Sequence, residues 1–92
     1  MQIEHDERKR RFTAHVDGGD AVLTYAPAGD HVIDLLHTMV PPQAEGHGVG
    51  DALVHAAMSF ARGKGFRIIP TCPYVRSWLG HHPEEQDLVI SQ

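Results

Sequence analysis

Eight consecutive residues, Gln43-Ala44-Glu45-Gly46-His47-Gly48-Val49-Gly50, hold the densest chemical signal in the chain. Three glycines at alternate positions let a backbone approach a ligand closely with its N–H groups turned outward. At the start of a helix, such amides and the positive dipole end favour an anion, phosphate above all. Two better-known phosphate loops do not fit. No Gly-Lys-Ser/Thr follows, which removes a Walker A loop, and the spacing is G-x-G-x-G rather than the G-x-G-x-x-G of a dinucleotide fold. Taken alone, the glycines also suit a sharp strand-to-helix turn and nothing more.

Two reactive side-chain types flank the loop. His37 lies on the segment leading into it, and imidazole is the side chain that exchanges a proton near neutral pH. In a regular strand His37 shares a face with Leu35 and Met39, so it reads either as a base or as a structural histidine. Cys72, the only cysteine, ends a short apolar run further on and reads either as a nucleophile or as a small buried hydrophobe. The eight histidines show no convincing ligand spacing, and no structural metal is expected.

The elements that must position these groups follow from periodicity. Phe12, Ala14 and Val16 alternate with polar residues, Asp17-Gly18-Gly19-Asp20 suits a tight hairpin, and Ala21, Leu23 and Tyr25 resume the alternation. A third strand over residues 31–40 completes an antiparallel meander. Pro41-Pro42 ends it. Val49, Leu53, Ala56, Ala57, Phe60 and Ala61 then fall at helical spacing, with Gly63 and Gly65 as stop signals. Residues 66–71 read as a buried strand returning parallel to an earlier one. Residues 73–80 form a short helix with Pro73 at its start, and residues 88–90 suggest a last strand. The fold class is α+β: a three-stranded antiparallel meander, a central helix after a glycine-rich loop, then a strand and a short helix. The charged first ten residues read as a solvated leading segment of a single domain spanning residues 1–92.

Within that order the chain resembles the GNAT superfamily of acetyl-CoA-dependent N-acetyltransferases, whose Q/R-x-x-G-x-G/A signature matches Gln43-x-x-Gly46-x-Gly48. It looks most like the minimal single-domain branch. His37-Thr38-x-Val40-Pro41, Gly46-x-Gly48-Val49, Pro70-x-Cys72-Pro73-Tyr74-Val75 and His82-Pro83-Glu84 carry the resemblance across residues 12–89. It implies that the loop amides hold the pyrophosphate of coenzyme A. A backbone N–H near Met39 or Val40 would face the acetyl carbonyl. The strand ending at Cys72 would splay from the one ending at Val40 to admit the pantetheine arm. The implied cofactor contacts are Met39, Val40, Gln43, Glu45, Gly46, His47, Gly48, Val49, Gly50, Cys72, Pro73 and Tyr74, and Cys72 and His37 are the catalytic candidates. Tyr74 either protonates a leaving thiolate or packs at the rim. Arg76 and Lys64 read as exposed rather than phosphate-bound.

Two positions depart from that branch. Met39 stands where a Glu often follows the His-Thr pair, which leaves the general base unassigned. Glu45 stands where a basic residue is common. Deprotonation matters because a lysine-like amine of pKa ~10.4 costs about 4–5 kcal/mol to neutralise at pH 7.

Composition narrows the function classes. The 92 residues, 41% hydrophobic and 22% charged, suit one small globular domain. Eight Lys and Arg against twelve Asp and Glu give a net charge of −4, which disfavours a nucleic-acid partner. No apolar run reaches the ~18 residues of a membrane span. A single cysteine points to a reducing, cytoplasmic setting and excludes an intramolecular disulfide. The expected partners are acetyl-CoA and an amine, small molecule or protein, for a monomer or weak dimer. A coenzyme A-binding module with little transferase activity, and a structural partner-binding domain, are the competing readings.

Overall fold

The computed structural model describes residues 1–90; Ser91 and Gln92 of the expected domain lie outside them. Five strands form one sheet in sequence order: β1 (Glu4–Asp6), β2 (Arg11–Val16), β3 (Gly19–Pro27), β4 (Val32–Met39) and β5 (Arg67–Pro70). The first four pair antiparallel, and β5 returns parallel to β4. Helix α1 (Val49–Lys64) makes the crossover, and α2 (Pro73–Gly80) follows β5. Period-two burial is clear: Phe12, Ala14, Ala21, Leu23, Tyr25, Ile33, Leu35 and Ile68 face the core. Helix α1 covers them with Leu53, Val54, Ala57, Met58 and Ala61, all inaccessible to solvent. The helix ends where glycine permits a left-handed cap: Gly65 has φ 72° and donates to the Ala61 and Arg62 carbonyls.

Three expectations need correction. The charged leading segment is not merely solvated, because it contains β1 and makes the meander four-stranded. One residue among the charges explains this. His5 stacks on Phe12 with ring centroids 4.0 Å apart and hydrogen-bonds the Tyr25 hydroxyl. Burial lowers its pKa against the opposing pull of Glu7 and Asp6, so the ring sits neutral among aromatics. The last strand is also absent as such. Residues 83–88 coil into a 3-10 turn whose Glu85 and Asp87 bind Arg62, leaving a single bridge from Val89 to Ile68.

The third correction concerns β4. Thr24 pairs with His37 but Tyr25 pairs with Leu35, so Leu36 is an extra residue and the alternation shifts there. Leu35 and Thr38 therefore share the core face. His37 and Met39 turn to the opposite, uncovered face beside Thr24 and Val22. His37 shares a face with Met39 as expected, but not with Leu35.

The same strand parts from its neighbour. Pairing of β4 with β5 ends at Leu35–Pro70, followed by one bond from the Cys72 N–H to the Leu35 carbonyl, 2.9 Å. Pro70 brings no N–H, and Cys72 leaves the strand to become the residue before α2. Beyond Leu35 the edge of β4 that faced β5 is free of strand pairing, and a slot opens.

Candidate functional site

At the mouth of that slot lies an open cleft of about 490 Å³, lined by Thr38, Val40, Ala44, Glu45, Gly46, Gly48, Val49, Gly50 and Tyr74. Its floor is built by the glycines. Gly46 (φ 81°) and Gly48 (φ 77°) both adopt left-handed backbone, and a Cβ on either would meet no atom within 4 Å. The space beside them is therefore open, and a conformation that side chains resist is what creates it. Gly48 begins α1 without a capping side chain, and the first intrahelical bond runs from the Ala52 N–H to the Gly48 carbonyl, 3.0 Å. The amides of Val49, Gly50 and Asp51 are thus free of intrahelical partners at the positive end of a sixteen-residue helix.

Gly50 has a different reason to be glycine. A Cβ there would stand 2.6 Å from the Tyr74 hydroxyl. Its absence lets the first turn of α2 lie against the first turn of α1, with Tyr74 as one wall of the cleft. Burial raises the Tyr74 pKa and the charge of Asp51 adds to the effect, so the phenol keeps its proton. Asp51 itself accepts a hydrogen bond from the Trp78 indole, 2.6 Å, and fastens the two helices together.

Behind the cleft, the Thr38 hydroxyl is 3.4 Å from the Cys72 sulfur. Burial alone would push the Cys72 thiol up. The hydrogen bond from Thr38 and the backbone amides of Val75, Tyr74 and Thr38 outweigh it, and the pKa falls below its ordinary value. The bulge in β4 brings this pair together by turning Thr38 toward the core.

On the uncovered face of the sheet, Asp34 is set in register with Ala26 of β3 and Ile69 of β5, one residue before the slot. Its Oδ1 is buried and has no hydrogen-bond partner among the described residues. Leaving such an oxygen unsatisfied costs about 1–3 kcal/mol unless water or a ligand meets it. Sequence reading passed over it, although a lone carboxylate within Val32-Ile33-Asp34-Leu35-Leu36 was the available signal.

Of the expected contacts, Val40, Glu45, Gly46, Gly48, Val49, Gly50 and Tyr74 meet in the cleft. Thr38 and Ala44 join them without having been singled out for it. Gln43 instead packs its side-chain amide against Gly18 in the β2–β3 turn, and His47 borders a groove on that side with Val16 and Asp17. Met39 is 72% exposed, Pro73 is exposed at the start of α2, and Cys72 lies buried behind Thr38. His37 stands on the uncovered face with Asp34. Among the described residues no three His, Cys, Asp or Glu side chains group to hold a metal. No described helix is long and apolar enough to cross a membrane.

This architecture has known counterparts. Residues 11–88 match the family model described as GCN5-related N-acetyl-transferase. Protein NATD1 of Bos taurus is 36% identical over 90 residues, covering 96% of this chain and 80% of the relative. Protein NATD1 of Homo sapiens is 34% identical with the same coverage. The solution structure of a GCN5-like candidate N-acetyltransferase from Staphylococcus aureus superimposes with a TM-score of 0.78 at 26% identity, over 99% of this chain and 89% of that one.

Proposed function

The chain belongs to the GCN5-related N-acetyltransferase family, and on that premise we propose that it transfers an acetyl group from acetyl-CoA to an amine. The observation that supports this most is the glycine cradle at the mouth of the slot between β4 and β5, with Thr38 and Cys72 at its base. The free amides of α1 and the open space beside Gly46 and Gly48 fit a diphosphate, and the slot fits a narrow arm. Acetyl-CoA supplies the thioester; the chain's own residues supply everything else.

In this reading an amine reaches the slot from the uncovered face of the sheet. Asp34 holds the ammonium by charge and takes its proton as the C–N bond forms. The backbone N–H of Met39 or Val40 donates to the carbonyl oxygen as it becomes an oxyanion, a contribution of about 3–4 kcal/mol. Tyr74 donates a proton to the sulfur as the C–S bond breaks. His37, on the same face as Asp34, is the second group there able to accept a proton.

The hydrogen bonds that lower the Cys72 pKa favour a second route, in which the thiolate takes the acetyl group first and passes it to the amine. Two measurements test both. Free thiol should be released from acetyl-CoA in the presence of a panel of primary amines, and no release with any of them counts against transferase activity. Intact mass after incubation without an amine should show one added acetyl on the wild type and none on Cys72→Ala if the second route operates. Equal masses for the two proteins leave direct transfer.

A further inference from the structure

The cleft that holds the donor is empty of positive side chains, and the positions of all eight Lys and Arg show why. Residues 8–11 contribute four of them, at the β1–β2 turn, where Arg11 pairs with Thr24 and the Arg10 carbonyl accepts from Tyr25. Lys64 ends α1, while Arg62 there is held by Glu85 at 2.8 Å and by Asp87 at 2.9 Å. Arg67 begins β5 and donates to the Asp87 carbonyl at 3.1 Å. These seven lie at the end of the sheet where β4 starts, and the glycine loop follows the end where it finishes. The eight residues of β4 put roughly 25 Å between the two ends, about three Debye lengths at physiological salt.

The eighth cation, Arg76, lies on α2 and does not line the cleft. Its guanidinium donates to the carbonyls of Pro70 and Thr71 at 3.0 and 2.6 Å. The charges at the cleft end are acidic: Asp17 and Asp20 in the β2–β3 turn, Glu45 on the cleft wall and Asp51 in the first turn of α1. A phosphate entering this cleft would have only backbone amides to meet it, and the free amides of one helix turn suffice for one diphosphate. A second, monoester phosphate at the adenosine end would find no cation, and the first amides of α2, those of Tyr74 and Val75, are turned onto the Cys72 sulfur.

We infer that this chain does not read the 3′-phosphate of the donor's adenosine, because none of its Lys or Arg side chains lines the cleft. 3′-Dephospho-CoA thioesters are then donors of equal standing to CoA thioesters. This rests on the donor site proposed above and adds to it which part of the donor the site ignores.

Calorimetric titration of the full chain with CoA and with 3′-dephospho-CoA, in the wild type and in Arg76→Ala, tests it. The expected result is that dephospho-CoA binds at least as tightly as CoA to within about threefold, with the same ratio in Arg76→Ala. A preference for CoA beyond that overturns the inference. Should that preference vanish in Arg76→Ala, Arg76 is the reader of the 3′-phosphate. Binding of neither compound is a different failure, because it removes the donor site itself.

Discussion

Gly48→Asp is expected to weaken acetyl-CoA binding by at least about a hundredfold while the protein stays folded. An aspartate there projects its carboxylate into the open space beside the amides of the second and third helical residues. Those are the amides left free at Gly50 and Asp51, so the new side chain occupies the anion site and adds a negative charge to it. The left-handed backbone at Gly48 (φ 77°) strains a side chain by about 1–3 kcal/mol, at the low end for an aspartate, which tolerates this conformation. A Cβ there meets nothing within 4 Å, so there is no clash to add. Calorimetry should read the loss of binding, and the unfolding temperature should fall by about 4–8 °C for each kcal/mol of strain, leaving the protein folded at the temperature of the titration. Gly48→Asn has the same shape without the charge and should bind more tightly than Gly48→Asp. Equal binding by wild type and Gly48→Asp would place the donor elsewhere.

Asp34→Asn should lower the transfer rate by about a hundred- to ten-thousandfold, the usual worth of a general base, with acetyl-CoA affinity unchanged. Stability separates this role from a structural one. The buried Oδ1 has no partner to lose, so removing its charge should leave the unfolding temperature the same or higher. A rate loss accompanied by a matching loss of stability would make Asp34 structural. His37→Ala, measured beside it, reads the other proton acceptor on that face. If the large loss follows His37 instead, the imidazole is the base.

Most of the scaffold was legible in the sequence because its signals are local. Alternation over Phe12, Ala14, Ala21, Leu23 and Tyr25, the helical spacing from Val49 and the stop at Gly65 each depend on neighbours a few residues away. The glycine loop belonged to the same class of signal. What escaped depends on contacts between distant segments. His5 makes β1 a strand only because Phe12 and Tyr25 receive its ring. Neither Leu36 nor the residues around it announce a bulge, since the extra residue is defined by the partner strand. Yet that bulge decides which side chain of β4 faces the cleft, and it exchanges His37 for Thr38.

The lowered Cys72 pKa was hidden for the same reason. Its cause is one hydroxyl 34 positions earlier and a helix start that the residue itself precedes. Gln43, a signature residue expected at the ligand, shows a contact of the same long-range kind. Its side chain instead packs on Gly18, bracing the loop against the hairpin.

The central claim is that the donor's diphosphate sits on the amides of residues 46–51 and its arm runs into the slot beside Thr38 and Cys72. Amide resonances of isotope-labelled protein, followed during titration with acetyl-CoA, report on it residue by residue. The largest shifts should fall on Gly46, Gly48, Val49, Gly50 and Asp51, continue through Thr38, Met39, Val40 and Cys72, and leave residues 8–11 unmoved. Saturable shifts centred away from the glycine loop, or none at millimolar acetyl-CoA, would contradict it.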